Sequence, residues 1–351
     1  MVKLIQHDLH GDNTIQVRNY VNRATLDIIG VAGMGHDFGS LSDPDSLMSK
    51  SYQNIFSSPD LFHRVLFMIG VLIGDLWIAL SIPTRRNRLI DEGGKAIRDV
   101  ARQMIRETKD KMKDPKADTG VDIISVALQS GDFDDENLVE QLMTFLAAGH
   151  ETTASALQWA IYALCKHPEV QTRLREDVRA NVPPISIDNP EPIDATVIDN
   201  LSYLHAVCNE ILRFHPSVPI TSRMALNDTT LVGKSIPKGT ILILSPELVN
   251  HLPELWGPDA GEFNPDRFMG PGKANTGGAS SNYAFLSFLH GPRSCIGQGF
   301  AKSEMACLLA AMVGSFKFEL KSPDAKLEVR EGPTCAPKDG VVVTVTPLDG
   351  W

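Results

Sequence analysis

The chain has 351 residues, 43% of them apolar, and its 43 acidic against 33 basic side chains give a formal net charge of −10. That length and apolar share allow a sizeable buried core, and the acidic excess argues against a nucleic-acid binder. Five cysteines, an odd number without framework spacing, argue against a scaffold stapled by disulfides.

In chain order, the first residues are charged and amphipathic, with neither the basic start nor the apolar core of a secretory signal. Between Thr14 and Gly30 the spacing of Ile15, Tyr20, Val21, Ala24, Leu26, Ile28 and Ile29 predicts a helix, ended by a glycine-rich stretch over 30–39. Residues 40–58 are polar and turn-rich, a loop or short helix. Leu61 to Ile82 reads as an apolar helix stopped by Pro83. Within it, Val65 to Leu80 is short for a membrane span and carries Asp75, so it predicts a buried or membrane-facing surface helix. An exposed apolar patch there fits peripheral membrane contact. Arg85 to Lys113 predicts an amphipathic helix with Ile90, Ile97, Val100 and Ile105 on one face. A polar loop over 114–119 and a short helix from Val121 to Gln129 follow.

The longest predicted helix runs from about Glu136 to Cys165, with Asp134, Asp135 and Glu136 suiting its first turn. It is apolar on more than one side, which places it in the middle of a protein. Pro168 opens another helix to about Val182, then comes a proline-rich loop over 183–192 and a helix from Tyr203 to Phe214. Short strands are predicted at Ile220–Leu226, Thr229–Val232 and Thr240–Leu244, with Pro237-Lys-Gly239 as the turn between the last two. A cysteine loop leads to a helix ending near Met312, and strands follow at Ser315–Leu320 and Val341–Thr346. The fold class is mainly α with small β-sheets, α+β.

Three motifs carry chemistry. In Phe285-Leu-Ser-Phe288-Leu-His-Gly291-Pro-Arg293-Ser-Cys295-Ile-Gly297 the cysteine lies where a tight loop meets a helix N-terminus. Outward amides and the helix dipole there favour a thiolate. Gly291 and Gly297 permit sharp turns and close approach of something flat; the plainer reading is a buried structural cysteine. In Ala148-Gly149-His150-Glu151-Thr152-Thr153 an acid and a hydroxyl sit together inside an apolar helix that Gly149 weakens. For that hexapeptide alone a packing glycine with polar residues facing a neighbour is the better reading, and the second histidine of a zinc-protease helix is missing. Glu210-Ile-Leu-Arg213 pairs opposite charges at i,i+3. Alone that is an ordinary surface pair, but Leu212, Phe214 and Pro216 argue for a buried setting.

Together, at these offsets and in this order, the motifs resemble those of the cytochrome P-450 family, of eukaryotic, fungal type, from about Asn22 to the end. The resemblance implies a haem iron bound by Cys295 as its metal ligand, in a loop shaped by Phe288, Gly291 and Gly297. By the same resemblance Thr152 and Glu151 organise proton delivery to bound dioxygen, and Arg293 and Arg223 pair with the haem propionates. It also implies a structural triad of Glu210, Arg213 and Arg267, the last from Asn264-Pro-Asp-Arg267-Phe268. Phe145, Ala148, Val218, Ile220 and Thr334 become candidates to line the substrate pocket. The implied activity is monooxygenation of an apolar organic substrate, with electrons from an NADPH-dependent flavoprotein reductase. The implied location is the cytoplasmic face of the endoplasmic reticulum membrane, or the cytoplasm since no anchor is read here. Residues 1–351 would form a single domain, the C-terminal two-thirds of the family's chain. The front of the family's sequence is missing, so a truncated, catalytically inactive remnant stays open as a second reading. A hydrolase using Cys295 as nucleophile is a distant third, for want of a His–Asx arrangement.

Overall fold

Several helices in this chain begin at short polar residues whose side chains cap the first turn. Ser46 accepts from the Ser49 N–H, Thr84 from Asn87 and Asp122 from Ser125, which satisfies amides that a helix start leaves unpaired. The structure, a computed structural model, describes all residues except 10, 58, 74–80, 115–121, 185–192, 325–326, 331 and 333. The elements are α1 (Val2–Asp8), β1 (Thr14–Gln16), α2 (Val17–Ile28) with a π-helical turn (Ile29–Gly33), α3 (Leu47–Ile55), α4 (Leu61–Ile73), α5 (Arg85–Met112), α6 (Ile123–Ser130) and α7 (Asp135–Lys166). There follow α8 (Pro168–Asn181), α9 (Ala195–Asp199), α10 (Ser202–Phe214), β2 (Thr221–Met224), β3 (Thr229–Leu231), β4 (Lys234–Ile236), β5 (Ile241–Leu244), α11 (Pro246–Val249) and α12 (Pro253–Trp256). After the cysteine loop come α13 (Gln298–Ser315), β6 (Phe316–Leu320), β7 (Val329–Arg330), β8 (Ala336–Pro337) and β9 (Val342–Pro347).

The chain divides into two compact units: Asn19–Glu151 with Met1, and Val2–Arg18 with Thr152–Trp351. In the first, α3 and α5 approach closely at Gly93, where a Cβ would lie 3.2 Å from the Ser51 carbonyl oxygen. Gly149 serves the same end, since a Cβ there would sit 2.8 Å from Ile29 Cγ1. His150 is buried with its Nδ1 2.8 Å from the Leu146 carbonyl and its ring 4.3 Å from that of Tyr52. Burial lowers its pKa and keeps it neutral. Leu61, Phe62, Val65 and Met68 of α4 are exposed; the expected helix from Val65 to Leu80 lies partly outside the described residues, as do most of the 114–119 and 183–192 loops. Among the described residues no helix is long and apolar enough to cross a membrane.

The second unit packs α8, α10 and α13 with the C-terminal half of α7, burying Leu157, Ile161, Leu174, Val207, Ile211 and Leu309. Its largest sheet is antiparallel in the order β1-β9-β6, and β2–β5, β3–β4 and β7–β8 form separate antiparallel pairs. Two local expectations change here. Thr14–Gln16, expected to start a helix, pairs with Val342–Thr344, so a partner distant in sequence overrides local periodicity. Lys234–Ile236, not expected as a strand, pairs with Thr229–Leu231. Val232 and Gly233 between them have φ of +48° and +74°, the two positive angles of a tight hairpin turn. The turn at 237–239 therefore follows β4, and β5 pairs instead with β2.

Candidate active site

The site is built on a buried ion pair in α10. Glu210 and Arg213 are both fully buried, with Arg213 Nε 2.7 Å from Oε2 and an Nη 2.8 Å from Oε1. The remaining guanidinium donors reach the carbonyls of Asn250, Ala260 and Glu262 at 2.7, 2.8 and 2.9 Å. All five N–H groups are thus used, the condition under which a buried charge is tolerable. Glu210 Oε1 also accepts from the Asn264 N–H at 2.7 Å. Arg267 Nε stands 3.6 Å from that oxygen, while its Nη2 binds Asp259 at 2.9 Å and holds that carboxyl below the usual carboxylate range.

Asn250 carries this framework to the cysteine loop. Its amide donates to the Arg213 carbonyl at 3.0 Å and to Ser287 Oγ at 2.8 Å, and its oxygen accepts from the Leu286 N–H at 2.9 Å. Ser287 Oγ in turn donates to the Leu212 carbonyl at 2.7 Å. Neither Asn250 nor Ser287 was singled out from the sequence, because bonds to distant backbone leave no spacing pattern.

Beyond Ser287 the chain turns sharply. Leu289 has φ of +57° and Gly291 of +77°, left-handed values that Gly takes freely and Leu does not. A 3₁₀ turn over Gly291–Arg293 follows, the Cys295 N–H donates to the Phe288 carbonyl at 2.8 Å, and Gly297 is the N-cap residue of α13. Cys295 is exposed. The Lys302 ammonium from α13 lies over the rings of Phe285 and Phe288, 5.5 and 5.8 Å from their centres.

The loop borders a cavity of about 200 Å³, lined mostly by apolar atoms. Thr152, Thr153, Val218, Phe288, Arg293 and Cys295 are in its wall, with Leu212, Ala301 and Met305 among the apolar lining. Ser217 Oγ donates to the Thr152 carbonyl at 2.8 Å and fixes the chain there. The other expected site residues lie elsewhere. Arg223 is exposed on β2 and donates to the Ser222 carbonyl and Thr221 Oγ1; Thr221, not Arg223, reaches the cavity. Ile220 is exposed, and Thr334 is buried with Oγ1 accepting from Arg330. Phe145 is half-buried, Ala148 exposed and Glu151 buried, all in the unit Asn19–Glu151.

One residue of the cavity's surroundings escaped the sequence reading altogether. Glu304 of α13 is 6% exposed, and burial pushes it up to about 8, with the Thr153 hydroxyl acting the other way. A single acid in the Ala-Lys-Ser-Glu-Met-Ala run reads as an ordinary helix-surface residue.

These residues suit a haem. A thiol and a guanidinium border one apolar space, and a Cβ on Gly291 or Gly297 would meet nothing within 4 Å, which leaves room for a flat group against the loop. Among the described residues no three His, Cys, Asp or Glu side chains converge as metal ligands.

The signature described as Cytochrome P450 matches residues 1–344. The chain is 68% identical over 357 residues to Cytochrome P450 monooxygenase sphH of Aspergillus fumigatus, covering 100% of this chain and 66% of that protein. It is 38% identical to Cytochrome P450 monooxygenase ALT8 of Alternaria alternata, over 96% of this chain and 63% of the relative, and 39% identical to FUM15 of Gibberella moniliformis, over 95% and 63%. The chain thus spans just under two thirds of the length of these relatives, whose family binds haem iron through a cysteine thiolate. With the signature covering nearly every residue, the chain belongs to the cytochrome P450 family.

Proposed function

We propose that this chain carries the haem-thiolate centre of a monooxygenase that inserts one atom of dioxygen into an apolar organic substrate. The observation behind this reading is a shared wall: Cys295, Arg293 and Thr152 border one mostly apolar cavity. Here Cys295 is the iron ligand, Arg293 and Arg223 hold the propionates, and Phe288, Gly291 and Gly297 form the face against which the flat group lies. Arg223 has to leave its contacts with Thr221 and Ser222 to take that part. Haem iron, when bound, supplies the oxygen-activating redox chemistry.

The chain's own tasks are positional. The Thr152 hydroxyl passes a proton, with the Glu151 carboxyl as its acid neighbour. Val218 and the apolar wall exclude water and orient the substrate, a role extended to Phe145, Ala148, Ile220 and Thr334 only by the family resemblance. The ion pair of Glu210 and Arg213, with Arg267 beside it, holds the loop. Electrons come from an NADPH-dependent flavoprotein reductase in this reading. The exposed apolar side chains of α4 support peripheral contact with the endoplasmic reticulum membrane. The names of the relatives support the monooxygenase class. Because those relatives are longer, activity, substrate and partners of the whole protein belong to this proposal.

The test is the reduced carbon-monoxide difference spectrum of protein expressed with haem supply, beside its Cys295→Ala variant. A strongly red-shifted Soret band that the variant lacks is expected. An unshifted band, or no haem in the parent chain, overturns the reading in favour of an inactive chain.

A further inference from the structure

A lysine drawn out of water without a carboxylate to meet it loses hydration that only another polar group or a π face can return. Lys302 of α13 is such a residue. It is half-buried, and its ammonium lies over two aromatic faces at once, 5.5 Å from the Phe285 ring centre and 5.8 Å from that of Phe288. Among the described residues no carboxylate pairs with it, an exception in a chain with 43 acidic side chains. Burial lowers its pKa from the ordinary 10.5, and the Cys208 thiol of α10 is the titratable group that acts on it. Both rings belong to the segment that delivers Cys295. Phe288 borders the cavity together with Cys295, and its carbonyl accepts from the Cys295 N–H at 2.8 Å. Ala301, the residue before Lys302, is in the same cavity wall. An unpaired positive charge is therefore fixed on a ring that borders the cavity, where water screens it less than at an open surface.

We propose that Lys302, held on the rings of Phe285 and Phe288, favours the one-electron reduction of a haem bound at Cys295. An added electron makes that centre one charge more negative, and a nearby cation stabilises the reduced state more than the oxidised one. The electron comes from the reductase of the monooxygenase reading above, on which this inference rests. No covalent bond of the chain forms or breaks in the step, and Lys302 keeps its proton. Lys302 acts through Phe288 and touches no reacting atom, so it is a positioning residue.

Two measurements test it separately from that reading. First, the haem-free chain is made with lysine labelled by carbon-13 at the ε-carbon, and its carbon–proton spectrum is recorded. The Lys302 signal, assigned by its absence from Lys302→Met, should be displaced upfield by the ring currents and should move back in Phe288→Leu. A Lys302 signal among those of solvated lysines overturns the proposal. Second, haem-loaded protein is titrated at neutral pH with dithionite against redox dyes. Lys302→Met keeps the apolar stem without the charge, and should disfavour the reduced form by on the order of tenfold, about 59 mV for one electron. Lys302→Arg should keep the parent potential, and both variants should keep the carbon-monoxide band of the parent. In a Phe288→Leu background the Lys302→Met change should do less, since the two side chains are coupled. An unchanged potential in Lys302→Met, or an equal fall in Lys302→Arg, overturns the proposal. Slower reduction by the reductase at an unchanged potential also overturns it, and makes Lys302 a docking contact instead. Failure of the parent chain to show a thiolate Soret band defeats the monooxygenase reading, and this inference falls with it even when the Lys302 signal is displaced.

Discussion

The Glu210 carboxylate and the Arg213 guanidinium form a doubly bonded pair at 2.7 and 2.8 Å with no exposed surface on either side chain. Water cannot screen or replace such a pair, so removing one partner leaves a bare charge in a dry setting. Glu210→Gln should therefore cost about 3–5 kcal/mol, the usual penalty for a broken buried pair. Replacing both residues by apolar ones of similar volume should cost less than either single change. Urea unfolding of the three variants checks the order.

The two loop glycines should respond differently to an added methyl group. Gly291 has φ of +77° with open space around its Cβ position, so Gly291→Ala should cost about 1 kcal/mol of backbone strain even without haem. Gly297 has φ of −89° and equally open space. Gly297→Ala should leave the stability of the haem-free chain unchanged and weaken haem binding alone. Thermal unfolding beside haem titration separates the two effects.

Thiol reactivity should follow burial. Cys295 and Cys307 are exposed, although partial burial raises the Cys307 thiol, whereas burial pushes the Cys165 and Cys208 thiols up to about 12. Brief alkylation of the native haem-free chain at neutral pH, followed by peptide mass spectrometry, should modify Cys295 and Cys307 and spare Cys165 and Cys208. Haem loading should then protect Cys295 but not Cys307.

Two buried groups give stability opposite dependences on pH. The His215 ring stacks 4.1 Å from Trp159, and burial drives it down to about 3 from an ordinary 6.5. Its contribution is present above pH 6.5 and is lost as pH falls from there towards 3, since the unfolded chain binds the extra proton. Glu304 is raised from 4.5 to about 8, so its contribution is present below pH 4.5 and is lost as pH rises through 8. Denaturant titrations across pH should show a flatter acid limb in His215→Phe and a flatter alkaline limb in Glu304→Gln.

What could be read in advance follows from how far the forces reach. The cysteine loop, the acid–hydroxyl helix and the Glu210–Arg213 spacing were legible because each is a local pattern with a mechanism. The long helices were legible because their apolar faces repeat. β1 was not, since Thr14–Gln16 becomes a strand only against β9. Asn250 was not, because its four polar contacts lie on backbone and side chains from other segments. Arg223 was expected at the site from its place after Val218-Pro219, yet it is exposed on β2 while Thr221, two residues earlier, reaches the cavity.

The pairing of β1 with β9 has a consequence for the order of folding. Thr14–Gln16 is made well before its partner Val342–Thr344, which lies 326 to 330 positions later in the chain. The three-stranded sheet therefore closes a loop of 326 to 330 positions, and the entropy of that closure is met before any ladder bond returns it. Until then Ile15, buried in the finished sheet, stays without its partner Val343. The nascent chain thus keeps an adhesive edge until Val342–Thr344 has been made, which is the interval in which a chaperone has most to offer.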